Sequence, residues 1–107
     1  MASLLYINEK LSDAIIILAT GPGDVRSRLY SILPKILILS PFSLPAELKK
    51  ELNWIQDKLT EKNKTQYGYD RGRTLRRMRN NTGSKIAERI VDLQFRVAEL
   101  REEERKK

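Results

Sequence analysis

The chain has 107 residues, a formal net charge of +7, no cysteine and no histidine, with 40% apolar and 33% charged residues. That balance fits one folded domain, 1–107, and excludes a disordered polyelectrolyte or a membrane-embedded chain. Without thiol or imidazole there is no disulfide, no soft metal site and no histidine general base, so neither a cofactor, a metal site nor catalysis is expected.

Leu4, Ile7, Leu11, Ala14 and Leu18 recur at three- and four-residue steps, and Ile15, Ile16 and Ile17 widen the stripe, which predicts a helix over 4–19. The start does not read as a leader peptide, because it lacks a basic stretch and Glu9, Lys10 and Asp13 interrupt it. The apolar run 14–19 is also far shorter than the roughly 20 residues that span a bilayer. A cytoplasmic location is therefore expected, and the sequons at Asn63 and Asn80 carry no weight.

Gly21-Pro22-Gly23 breaks the first helix, and Asp24 is suited to cap a second one whose Val25, Leu29, Ile32 and Ile36 share a face. Pro34 is expected to kink or end that helix near Leu33, and a short strand is a rival over 36–39. Residues 40–43 read as a connector. Pro45 and Glu47 open a third helix with Leu48, Leu52, Ile55 and Leu59 as its core stripe and Trp54 beside it. Residues 63–72 form a polar loop.

At about 100° per residue, Leu75, Met78, Thr82, Ile86, Ile90, Leu93, Val97 and Leu100 fall on one side of a final helix. The phase survives the weak helix formers at 80–84. We therefore expect one helix over 73–105, about 50 Å long and bent at Gly83, with a break and a restart capped by Ser84 as the rival. The expected fold class is all-α, a small bundle of four to five helices with a long C-terminal helix that protrudes or forms a dimer. Ile86, Ile90, Leu93, Val97 and Leu100 are the expected dimer or partner seam, broadened by Ala87, Val91 and Ala98. The charged tail 101–107 reads as a solvated, fraying helix end.

The charge is not spread evenly. Residues 64–81 carry six basic side chains against one acid, so five of the seven net charges fall in 18 residues. On the predicted helix Arg73, Arg76, Arg77 and Asn80 share a face opposite Leu75 and Met78. A guanidinium donates two parallel hydrogen bonds to phosphate and stays charged at any physiological pH, and tyrosines stack on unpaired bases. The expected partner is therefore nucleic acid, with Lys64, Tyr67, Tyr69, Arg71, Arg73, Arg76, Arg77, Arg79, Asn80 and Lys85 as the contact set. An acidic protein docking on the same face is the alternative, and neutralisation by Glu102, Glu103 and Glu104 or by the acids of helix 3 is the bland one. A helix–turn–helix centred on Gly83 fits poorly, since it would put Arg89 and Asp92 at core positions. Gly83-Ser84-Lys85 lacks the strand and upstream glycine of a phosphate loop.

Overall fold

The protein's structure, a computed structural model, describes residues 4–41, 44–60, 64–65, 68–69 and 79–106. Helix α1 (Leu4–Thr20) buries Ile7, Leu11 and Ala14, the face that the three- and four-residue spacing predicts. It stops at Gly21, whose amide donates to the Ile17 carbonyl at 2.7 Å, and a Cβ at Gly21 would lie 2.7 Å from that same oxygen. Gly23 then takes φ +81°, a left-handed conformation that costs glycine nothing. The chain reverses, and α2 (Val25–Leu37) packs back along α1.

Asp24 caps α2. One carboxylate oxygen accepts the Ser27 amide at 3.1 Å and the other accepts the Arg26 guanidinium at 2.9 Å. Pro34 does not end this helix near Leu33, and residue 36 is helical rather than extended. The proline ring lies on the exposed side, while Leu33 and Ile36, on either side of it, are fully buried. Burying each gains about 1.5–3 kcal/mol, enough to offset the roughly 3 kcal/mol penalty of an interior proline.

Helix α3 (Ala46–Thr60) begins where the Lys49 amide donates to the Pro45 carbonyl at 2.8 Å, and it buries Leu48, Leu52, Ile55 and Leu59. Gln56 ties it to the end of α2, its amide nitrogen donating to the Ile36 and Leu39 carbonyls at 3.0 and 2.9 Å. The Ile36 carbonyl also accepts the Leu39 amide at 3.2 Å, so Gln56 gives it a second donor and supplies one to the Leu39 carbonyl beyond the end of α2. In the connection that follows, β1 (Lys64–Thr65) and β2 (Gly68–Tyr69) pair antiparallel through their backbones, a two-residue ladder that adds no layer to the helical bundle.

Helix α4 (Asn80–Arg105) keeps the expected continuity through Gly83 and corrects the expected start. It runs unbroken through Gly83 and Ser84, so it does not restart at Ser84. It also does not extend back continuously from Arg105 to Arg73, because Arg79 has φ −78° and ψ 149°, an extended backbone. At 26 residues it is about 39 Å long rather than about 50 Å. The part of the prediction that falls on residues 73–78 lies outside the described residues.

The four described helices close around one apolar cluster, with α4 packed against α1, α2 and α3. Ile86, Ile90, Leu93 and Val97, expected as a seam for a second chain, are 0% exposed within this one, and Leu100 packs against the same core. That side of α4 is the one that holds the bundle together. The radius of gyration, 14.0 Å, is close to the roughly 13 Å of a compact chain of this length. Among the described residues no helix is long and apolar enough to cross a membrane.

Candidate nucleic-acid interface

Three of the expected contact residues have described side chains. Arg79, Asn80 and Lys85 are all exposed at the start of α4. Arg79 occupies the cap position, makes no side-chain cap hydrogen bond, and is followed by a first turn without an acid. The first amide to find an intrahelical partner is that of Gly83, which donates to the Arg79 carbonyl at 3.0 Å. The amides of Asn80, Asn81 and Thr82 thus form the positive end of the helix dipole with nothing negative in the same turn to offset it. Asn81 and Lys85 are four residues apart and share an outward flank, so the basic character continues about one turn into the helix.

Lys64 and Tyr69 enter only through their backbone pairing, opposite each other in the two-residue ladder. Their side chains, and Tyr67, Arg71, Arg73, Arg76 and Arg77, lie outside the described residues, as do the expected anchors Leu75 and Met78.

Among the acids near the described cations, Glu88 is exposed three residues beyond Lys85, whereas Glu51 and Asp92 are paired with arginines and the tail acids are distant. Glu51 on α3 accepts from Arg89 at 2.8 Å, a bond that holds the Arg89 guanidinium above the usual arginine range. Asp92 bridges Arg96 at 3.2 Å one turn along α4. Glu102, Glu103 and Glu104 are exposed at the opposite end of the same rigid helix. From Lys85 to Glu102 is about 26 Å of helix, roughly three Debye lengths at physiological salt, so the tail leaves Arg79 and Lys85 unscreened.

Sequence spacing did not reveal the contacts that fix α4 in place. Arg89 stacks over the Trp54 ring with its guanidinium carbon 5.0 Å from the centroid, and Lys58 lies 5.9 Å from the same ring. Gln94 donates to Asn8 at 3.1 Å and Ser12 at 3.4 Å. Apart from Lys58 and Trp54, which are neighbours one turn apart on α3, these pairs join residues dozens of positions apart, and a single sequence carries no local signal for them. Glu88 and Asp92 are one turn apart and both exposed, and Asp92 pairs with Arg96.

Comparison with known protein families, with curated proteins and with solved structures finds no match to this chain.

Proposed function

We propose that this chain is a nucleic-acid-binding protein without catalytic chemistry, and that its contact surface is the basic segment 64–81 together with the first turns of α4. The observation that carries the reading is continuity of charge. A segment with six cations and one acid runs directly into a helix start that is exposed, receives no cap bond from the Arg79 side chain and has no acid in its first turn. Five of the six cations are arginines, the side chain whose planar fork matches phosphate, and Tyr67 and Tyr69 supply rings for unstacked bases. A chain with neither histidine nor cysteine has few routes to catalysis. The proposal includes a cytoplasmic setting, in keeping with a cysteine-free sequence.

The arginines would hold the phosphate backbone, and the first-turn amides of α4 would donate to one further phosphate oxygen at the positive end of the dipole. Fluorescence polarisation on single- and double-stranded probes across a salt series tests this. Contact with about five phosphates predicts a loss of affinity on the order of a few hundredfold between about 50 and about 200 mM salt. Charge reversal at Arg76 and Arg77 should remove most of the binding at low salt. Absence of binding to any probe at low salt would end the reading. If the reversed variant then lost an acidic protein in a pulldown, the basic face would belong to that partner instead.

A further inference from the structure

Trp54, the only tryptophan, packs against the edge of the core on α3 and stays partly exposed. Arg89 reaches it from α4. The guanidinium carbon lies 5.0 Å from the centroid of the indole ring, and Nη1 donates to Glu51 at 2.8 Å. Glu51, Trp54 and Lys58 follow one another at three- and four-residue steps, so they line the flank of α3 turned towards Arg89. The ring and the carboxylate together pin a side chain that is still 53% exposed. Among the described residues Nη1 is the only nitrogen of Arg89 with a hydrogen-bond partner. Two flat groups, an indole and a guanidinium, are thus held together at the junction of α3 and α4 and remain open to solvent.

This platform stands beside the basic segment. The segment lies in the stretch that joins α3 to α4, with Trp54 close to the end of one helix at Thr60 and Arg89 close to the start of the other at Asn80. Those separations are about 9 Å and about 14 Å of helix. Lys85 is exposed one turn nearer the segment than Arg89, about 6 Å away along the axis and about 40° round from it. A strand whose phosphate rests on Lys85 therefore brings the base of that nucleotide to Arg89.

We propose that an unpaired base stacks on the Trp54–Arg89 platform, so that the partner of the basic surface is a single strand; this rests on the nucleic-acid reading above. Charge selects a base over a phosphate at this spot. Glu51 already neutralises Arg89, and Glu88 and Asp92 are exposed close by on α4, so a phosphate gains little there. A base is uncharged and stacks on an aromatic ring or on the plane of a guanidinium. Geometry selects the single strand. Bases of a duplex are stacked on their neighbours, and one of them would have to leave the helix to reach a half-buried ring between two protein helices. The phosphates stay with Lys85 and the arginines of the basic segment, and the platform adds a contact that only unpaired nucleotides can make.

Because no other tryptophan is present, the emission of Trp54 reads the platform directly. The full chain is titrated at low salt with thymidine or uridine strands of about 12 nucleotides and with a duplex of the same length, with polarisation of the labelled probe followed in parallel. Emission should fall as either single strand saturates and stay unchanged with the duplex, and the tighter of the two strands identifies DNA or RNA as the source. Trp54→Leu fills the same place against the core without a ring, and it should weaken single-strand binding by about tenfold while duplex binding is kept. Trp54→Phe restores a ring and should recover most of the loss, with far-ultraviolet circular dichroism showing both variants folded. Single-strand binding that leaves the emission unchanged, equal quenching by the duplex, or a Trp54→Leu variant that binds like the parent overturns the platform and leaves the nucleic-acid reading standing. Absence of any binding by polarisation overturns both.

Discussion

Asp24 concentrates several jobs in one side chain. It closes the turn after α1, satisfies the Ser27 amide at the start of α2, and pairs with Arg26. The Ser27 amide hydrogen bond, followed by the Arg26 contact, holds its carboxyl below the ordinary value of 3.8. On acidification the unfolded chain therefore takes up the proton first. The stability contributed by the carboxylate is complete above 3.8 and is lost as the pH falls through the depressed folded value. Asp24→Asn keeps an oxygen for the Ser27 amide but loses the charge. The variant should melt below the parent at about pH 7, with the gap narrowing once the pH drops under 3.8, as followed by circular dichroism. A gap that stays constant with pH would mean that the cap works by geometry alone. The cap itself was legible in the sequence, because a cap is a relation between a residue and the amides two or three positions on. The partners of Arg89, Gln56 and Gln94 were not, because each is fixed by how helices come to lie beside one another.

Among the elements, α4 shows what periodicity can and cannot carry. The apolar phase identified the buried side of the helix residue by residue and bridged Asn80 to Ser84 correctly, since burial of Gly83 and Ile86 holds that weak stretch in place. It could not locate the start, because phase says which side would face the core if the backbone were helical and nothing about where it stops being so. Pro34 is the converse case, a local signal to stop that is overridden by burial on both sides of it. The start of α4 also offers a test in which fold and function pull in opposite directions. Arg79 is a poor cap residue that makes no cap bond. Arg79→Ser supplies a side-chain oxygen to the amides of the first turn and should stabilise the fold by about 1 kcal/mol in urea titration. If the helix start belongs to the nucleic-acid surface, the same change should lower affinity and reduce the salt slope by about one phosphate's worth. Higher stability with unaltered binding would remove Arg79 from the contact set.

At the scale of the whole molecule, one cluster draws on all four helices, and α4 touches each of the other three. Among the described residues no subset of helices has a separate core, so the bundle should unfold as one unit. Ile90 lies in the middle of α4 and is 0% exposed. Truncating it to alanine removes buried surface and opens a cavity, at a cost of about 2–5 kcal/mol from a total that is about 5–15 kcal/mol for a domain of this kind. With a urea dependence near 1–3 kcal/mol per molar, the midpoint for Ile90→Ala should fall by about 1 M or more. Trp54, the only tryptophan, reports the junction of α3 and α4 through its contact with Arg89, while far-ultraviolet circular dichroism reports all four helices. A single cooperative core requires the two signals to trace the same transition in the parent chain and again, at lower urea, in the variant. A fluorescence change that preceded the loss of helix would mean that α3 detaches first and that α1, α2 and α4 hold together without it.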